Sequence, residues 1–376
     1  MKTNKKALFI LDSRGIISLH NEYDLKRHME YAERIIGFNK KILVAVATTN
    51  PSFTSVTTFE NLTVYPISGN RRFSPKYLLE VSTLIRKLDL GRILFIAGDP
   101  WESAVSLFLI RRFCSTDSRS QVQIHADITT DEWVHLSKIN RVRKFVLSLT
   151  LKRFESIRVT SLEIKRSIAA KYGITQERFI VSNLRINLDP ISSPVLAENR
   201  PKSISFVGRM EKDRGLDIFV ELIKKVSDLN AILNIVGSGP DHTKFVEELK
   251  EIVGSDRVNV WGEIGPQEMP NLWKQTGLLV STAPSESFGR TIREAACFGL
   301  PVLGVASRGF NEFVHFTDVP WVRVLDEPGN PGQTQEVVRE LLVAKTSLKV
   351  REKILSEQEE QISNLVQCWI SLLEND

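Results

Sequence analysis

The chain has 376 residues, 42% hydrophobic and 25% charged, and this ordinary globular composition excludes the disordered and fibrous classes. The length exceeds what one hydrophobic core usually serves, so two domains are expected. The chain carries 50 basic and 45 acidic residues, and a net charge of +5 is too small to indicate a nucleic-acid-binding protein.

Three widely separated cysteines predict free thiols in a reducing compartment, because they supply neither a disulfide framework nor a zinc site. The apolar run at 7–11 is shorter than a signal-peptide core, and no run approaches the ~20 apolar residues of a membrane-spanning helix. The sequence therefore predicts a cytoplasmic protein, with any membrane contact peripheral and at the inner face of the membrane.

Short β-branched runs alternate with amphipathic stretches along the first half, which predicts parallel strands covered by helices. The predicted strands of this half are 7–12, 41–48, 62–67, 92–98, 122–127, 156–161 and 178–183. The polar, proline-bearing segment 186–202 follows, and its composition is typical of an interdomain linker.

The same alternation restarts after the linker. Its predicted strands are 203–208, 232–237, 258–262, 278–283, 301–306 and 321–325. The fold class is therefore α/β, with Rossmann-like domains over 1–185 and 203–352. Residues 353–376 follow as a helix with a buried apolar stripe.

The stretch SESFGRTIREAACFGLPV at 285–302 continues strand 278–283 into a turn, a helix and the next strand. The loop at the carboxyl end of such a strand faces the ligand crevice, and the helix start attracts anions. Gly289 lets a ligand approach the backbone closely. Glu286 in the loop and Glu294 one to two turns into the helix can hold opposite ends of an elongated ligand such as a nucleoside diphosphate sugar.

Arg209 and Arg214 follow strand 203–208, and two guanidinium groups can neutralise a diphosphate. Taken singly, acids at helix starts and arginines after strands are usually surface residues, and GSGPD at 237–241 is only a partial dinucleotide fingerprint. Three such features on successive strand ends favour a site. Because the chain has no Asp-x-Asp pair, we predict no metal and no cofactor beyond the nucleoside diphosphate sugar as substrate.

These residues resemble the donor-binding domain of family-four retaining glycosyltransferases of the GT-B type. The matching motifs are the E-x7-E pair Glu286 and Glu294 around Phe288-Gly289, VGRMEKDRG at 207–215, VGSGPD at 236–241 and WGEI at 261–264. The resemblance implies two Rossmann-like domains facing each other across a cleft, with the C-terminal helix returning to the N-terminal domain.

The resemblance also implies roles for individual residues. Glu294 would bond the ribose hydroxyls, Arg209 and Arg214 the diphosphate, while Glu286 would hold the donor sugar together with backbone groups. The other implied donor-binding residues are Gly208, Gly237, Ile264, Phe288, Gly289, Arg290 and Thr291. Arg290 and Thr291 stand where the family commonly has aliphatic residues.

The resemblance is thinner in the first half. His125 in IHAD is similar to the histidine that lies by the reacting sugar, although a histidine at a strand end is more often structural. Ser13, Arg14 and Gly15 stand where the family has its Gly-Gly loop on the acceptor side.

The resulting prediction is a retaining, metal-independent hexosyltransferase acting on a glycan, lipid-linked or small-molecule acceptor, in cell-surface polysaccharide or glycoconjugate synthesis. A nucleotide-sugar epimerase or hydrolase, or a non-catalytic nucleotide-sugar-binding protein, stays an alternative. The basic, apolar segment 135–159 predicts either peripheral contact with an anionic membrane or a solvated helix face.

Overall fold

The computed structural model describes residues 5–20, 22–68, 74–114, 117–125, 128–130, 133–134, 137–186, 200–325 and 331–374. The chain divides into two compact units, one of Met1–Ser182 with Glu360–Asp376 and the other of Asn183–Glu359. The predicted domain ends at 185 and 352 lie near these divisions. Most of the predicted linker, residues 187–199, lies outside the described residues.

The first unit contains an eight-stranded sheet in the order β3-β4-β2-β1-β5-β6-β7-β8, parallel except for the β3–β4 pair. Its central strands are apolar on both faces because helices cover both faces. The strands β1 to β8 are Lys6–Asp12, Ile42–Thr48, Thr57–Phe59, Leu62–Pro66, Arg92–Ala97, Asp117–Ile124, Ser156–Val159 and Phe179–Val181.

Helices connect these strands in the usual α/β manner. The helices α1 to α5 are Glu22–Phe38, Pro75–Leu88, Glu102–Phe113, Lys138–Thr150 and Leu162–Tyr172. The end caps follow sequence rules: the Ser161 hydroxyl accepts a bond from the Ile164 N–H at 3.2 Å where α5 begins, and Gly173 ends α5 with a φ of 60°.

The second unit is a six-stranded parallel sheet in the order β11-β10-β9-β12-β13-β14. Its strands β9 to β14 are Ser203–Val207, Ile232–Val236, Val258–Gly262, Leu278–Ser281, Val302–Val305 and Val322–Leu325. Its helices α6 to α11 are Leu216–Val226, His242–Val253, Met269–Lys274, Arg290–Cys297, Arg308–Thr317 and Pro331–Val343.

The last helix, α12, runs from Lys349 to Glu374 and passes from the second unit into the first. Its final turns bury Leu365, Trp369 and Leu373 in the core of the first unit. The Trp369 indole N–H donates to the Gln121 side-chain oxygen at 2.8 Å. The predicted return of the C-terminal helix to the N-terminal domain is therefore confirmed.

Strand order in the second unit places three loops side by side. Strand β9 lies between β10 and β12, so the chain changes direction across the sheet at β9. In open parallel sheets, ligands bind at the carboxyl ends of the strands at such a switch point. The loops that leave β9, β10 and β12 therefore form the candidate site.

Candidate active site

The loop 208–215, which follows β9, packs tightly against the two neighbouring strand ends. Gly237 has a φ of +127°, and a Cβ there would lie 1.9 Å from the Gly208 carbonyl oxygen. Gly215 has a φ of +64°, and its Cβ would lie 2.0 Å from the Thr282 carbonyl oxygen. Only glycine fits at either position, so the sequence fixes where this loop lies.

A cavity of about 210 Å³ opens between these strand ends. It brings together five of the predicted site residues, which are Gly208, Arg209, Arg214, Glu286 and Thr291. A larger cavity of about 340 Å³ lies between α6 and α7 and is lined by none of the predicted residues. The smaller cavity is therefore the candidate for the diphosphate and the donor sugar.

Two guanidinium groups line this cavity with different exposure. The Arg214 side chain is 29% exposed, and its Nη1 lies 3.5 Å from Oε2 of Glu286. The Arg209 side chain is 58% exposed and pairs with Glu211 at 3.0 Å and with Asp213 at 3.6 Å. Because water screens an exposed charge, Arg214 offers the stronger electrostatic contact to an anion in the cavity.

The Glu286 carboxylate occupies a nest of backbone amides at the start of α9. Its Oε1 accepts bonds from the N–H groups of Ser287, Phe288 and Gly289 at 3.0, 3.3 and 2.9 Å. Gly289 has a φ of +70°, which lets the three N–H groups converge. The sequence motif located Glu286 but did not reveal that its carboxylate binds its own loop.

Glu294 lies in the second turn of α9, about 4.5 Å of helix rise beyond Thr291. Burial raises the pKa of the Glu294 carboxyl from 4.5 to about 7, and the nearby positive charge of Arg290 lowers it in part. The group is therefore poised to exchange a proton at neutral pH. Arg290 itself is exposed at the helix start.

The Phe288 side chain belongs to the core, where it is 2% exposed. The Arg293 guanidinium lies 3.9 Å from its ring centre and donates a hydrogen bond to its carbonyl oxygen. Sequence reasoning missed Arg293, although a charged residue between the buried Ile292 and Ala295 was a visible signal.

The other predicted donor-binding residues occupy the neighbouring strand ends. The Gly237 N–H donates to the Gly262 carbonyl at 2.7 Å, so this turn is tied to the end of β11. Ile264 is half-buried and packs against the core of the second unit. Whether these residues, Phe288 and Gly289 contact a nucleotide stays a prediction.

In the first unit, the loop after β1 is held by a buried acid. The Asp12 carboxylate accepts bonds from the N–H groups of Ile16 and Ile17, both at 2.9 Å. Ser13 is buried and Arg14 is exposed. Gly15 turns the chain with a φ of +64°.

His125 is exposed immediately after β6. Strand β5 separates β6 from β1, so two strand spacings, roughly 10 Å, lie between these loops at the same edge of the sheet. The structure therefore gathers His125, Ser13, Arg14 and Gly15 at one sheet edge.

The described part of the chain contains neither a metal-binding cluster nor a membrane-spanning helix. No group of three or more His, Cys, Asp or Glu residues there could hold a metal ion. No helix among those residues is long and apolar enough to cross a membrane. Metal independence stays a prediction.

Two tandem α/β units, with the last helix returning to the first, form the GT-B fold of glycosyltransferases. The structure of sucrose-phosphate synthase from Thermosynechococcus elongatus is similar to this one over the full length of both chains, with a TM-score of 0.72 and 18% sequence identity. Anabaena Alr3699/HepE was solved in complex with UDP. Its whole chain is similar in structure to 97% of this chain, with a TM-score of 0.67 and 15% sequence identity.

Residues 190–360, which span most of the second unit, match the family model described as "Glycosyl transferases group 1". The lipopolysaccharide glucosyltransferase WaaG of Escherichia coli K12 is 31% identical over 135 residues, which are 36% of this chain and 34% of that protein. The matched segments cover only about a quarter to a third of the curated relatives' lengths.

Proposed function

We propose that this chain is a retaining glycosyltransferase that moves a sugar from a nucleoside diphosphate sugar to an acceptor. The observation that carries the proposal is the pairing of Arg214 with Glu286 in a cavity at the β9–β12 switch point. A diphosphate suits the guanidinium groups, and sugar hydroxyls suit the carboxylate. The UDP held by the similarly folded HepE supports a nucleotide as the donor.

Catalysis then depends on stabilising the negative charge that develops on the leaving phosphate. Arg209, Arg214 and the positive end of the α9 helix dipole supply that stabilisation without a metal. Retention follows if the acceptor attacks the face from which the diphosphate leaves, with a phosphate oxygen taking the acceptor's proton. Glu286 then holds the donor sugar, Glu294 the ribose, and His125 the reacting side of the sugar.

We propose a glycan or lipid-linked acceptor for cell-surface polysaccharide or glycoconjugate synthesis, used at the inner face of the membrane. Helix α4 supports this proposal, because one of its faces carries apolar side chains in solvent. No acidic residue lies between Lys138 and Arg153, and the exposed Lys138 and Arg141 give the surface of this helix positive charge. The exposed apolar residues are Ile139 at 48%, Val142 at 60%, Phe145 at 63% and Leu149 at 55%.

A thermal-shift screen with UDP-, GDP-, ADP- and TDP-glucose tests the donor proposal. A ligand that binds only the folded chain adds ~2.7 kcal/mol of stability at about 100 times its Kd. We expect one nucleotide sugar to raise the Tm. The chain should release nucleoside diphosphate from that nucleotide sugar only when an acceptor is present. Release without an acceptor would indicate the hydrolase or epimerase alternative, and no shift with any donor would contradict the proposal.

A further inference from the structure

Arg293 is a buried cation inside helix α9. Its side chain is 4% exposed, and burial lowers its pKa to about 10, so it stays protonated at neutral pH. The negative charges of Glu357, Glu312 and Glu286 favour the protonated form. Burying a guanidinium costs free energy even when it is compensated, so its contacts indicate what it does in the fold.

Two of its contacts are to Phe288, one of the predicted site residues. Arg293 Nη1 donates to the Phe288 carbonyl oxygen, and the guanidinium lies 3.9 Å from the Phe288 ring centre. The guanidinium also lies 4.6 Å from the ring centre of Phe313 in α10. Arg293 therefore contacts two aromatic rings, and it holds both the ring and the backbone of Phe288.

The hydrogen bond from Arg293 to the Phe288 carbonyl determines where the Gly289 N–H points. In a trans peptide the carbonyl and the following N–H point in opposite directions, and the described chain has no cis bond. With the Phe288 carbonyl turned to Arg293, the Gly289 N–H faces Oε1 of Glu286 at 2.9 Å. Glycine tolerates either orientation of this peptide, so the loop alone does not fix it.

We propose that Arg293 is a positioning residue that holds the Phe288–Gly289 peptide in one orientation, so that the Gly289 N–H bonds Oε1 of Glu286 and keeps the Glu286 carboxylate in place to meet the donor sugar in the cavity. The inference rests on the proposed function in assuming that this cavity takes a nucleoside diphosphate sugar. Arg293 does not line the cavity. Its loss therefore removes no side chain from the cavity, and Arg209 and Arg214 stay available to the diphosphate.

Hydrogen–deuterium exchange tests the peptide orientation without any ligand. We expect R293M to speed exchange of the amides at 287–289 by about tenfold or more, because the bonded amides open more often. R293K keeps a charge and one donor, and should lie between R293M and the wild type. R293K also serves as the test variant if R293M does not fold.

Arg257 provides a matched control in the same unit. It is half-buried, and its Nη1 donates to the Ser227 carbonyl at 3.2 Å, so R257M loses a comparable backbone contact. R257M should leave exchange at 287–289 unchanged. Equal exchange at these amides in R293M, R293K and the wild type overturns the inference, whatever the donor.

Binding and turnover then test the consequence for the sugar. With the best nucleotide sugar among the UDP, GDP, ADP and TDP donors, we expect R293M to lower kcat by about 10- to 100-fold. Its Kd for the free nucleoside diphosphate should stay within about threefold of the wild-type value. The inference is overturned if R293M weakens binding of the free nucleoside diphosphate by as large a factor as it lowers kcat. A wild-type chain that binds no donor would instead contradict the proposed function, and the exchange test would then decide the role of Arg293.

Discussion

Nη1 of Arg214 lies 3.5 Å from Oε2 of Glu286, so the less exposed arginine of the cavity already has an anionic partner. The other oxygen of the same carboxylate accepts three backbone N–H groups. An incoming diphosphate therefore competes with Glu286 for Arg214. Substitutions at the two residues should then have opposite effects on binding of a nucleoside diphosphate.

Replacing Arg214 by methionine should weaken binding of the nucleoside diphosphate by about 10- to 100-fold, because a hydrogen bond to a charged group contributes ~1.5–3 kcal/mol. R209M should weaken this binding less, because the Arg209 side chain is twice as exposed as that of Arg214, at 58% against 29%. Calorimetric titration measures both, with R257M as the control. A larger loss in R209M than in R214M would contradict this assignment.

Replacing Glu286 by glutamine should separate nucleotide binding from transfer. The glutamine oxygen can still accept the loop N–H groups, so the backbone keeps its shape. Removing the negative charge frees Arg214, and the nucleoside diphosphate should bind as tightly as before or more tightly. Turnover should fall by on the order of 100-fold, because the donor sugar loses its positioning group. A loss of nucleotide affinity as large as in R214M would exclude the proposed role.

The raised pKa of Glu294, about 7, predicts that donor binding depends on pH. Ribose hydroxyls donate to a carboxylate, so binding favours the ionised form. Affinity for the nucleotide sugar should rise between about pH 6 and pH 8 and then level off. The rise is at most tenfold per pH unit below the pKa of Glu294. The diphosphate of the nucleotide sugar is fully ionised throughout this range. E294Q should show no such rise, and a flat wild-type profile would remove Glu294 from the ribose site.

The sequence predicted the fold well because buried parallel strands have continuous β-branched runs that are easy to recognise. It missed β3, whose three residues, Thr57–Phe59, carry no distinctive pattern. It also placed the start of β6 at 122, whereas the strand begins at Asp117, because its first residues are polar. Strand boundaries in polar stretches depend on pairing with a neighbour, which a single segment does not encode.

The candidate site shows the same division. Motif spacing brought Arg214 and Glu286 to neighbouring strand ends, since carboxyl ends of parallel strands meet at one edge. The bonds between Glu286 and its own loop depend on one peptide's orientation, and the burial of Arg293 depends on Phe313 from a later helix. Such features arise from tertiary packing, so spacing alone could not predict them.

Gly309 in α10 lies against residues 286–287 of the site loop, so a larger side chain at this position should disturb the loop. A Cβ there would lie 2.5 Å from the Ser287 carbonyl carbon, and the Gly309 N–H donates to the Glu286 carbonyl at 2.9 Å. G309A should therefore displace the loop, weaken donor binding and lower the free energy of unfolding by ~1–3 kcal/mol.

Gly37 in α1 is the matched control for G309A, because a Cβ at this position would meet no atom within 4 Å. G37A should raise the free energy of unfolding by ~0.5–1 kcal/mol and leave donor binding unchanged. Urea denaturation and donor titration compare the two variants. Similar behaviour of G309A and G37A would show that the contact with residues 286–287 is unimportant.

Helix α4 should bind anionic bilayers through its exposed apolar face. We expect the wild-type chain to sediment with phosphatidylcholine vesicles only when they contain phosphatidylglycerol, and to bind less at high salt, since salt screens the basic side chains. Replacing Phe145, 63% exposed, by aspartate should weaken binding by about tenfold or more, because a buried aromatic contributes ~1.5–3 kcal/mol.

Phe38 in α1 is equally exposed, at 64%, and lies on a different helix of the same unit, so F38D is the matched control. It removes one aromatic and adds one negative charge, as F145D does, but leaves α4 intact. F38D should therefore sediment like the wild-type chain. Equal losses in F145D and F38D would attribute binding to net charge alone, and no binding of the wild type would make the α4 face an ordinary solvated surface.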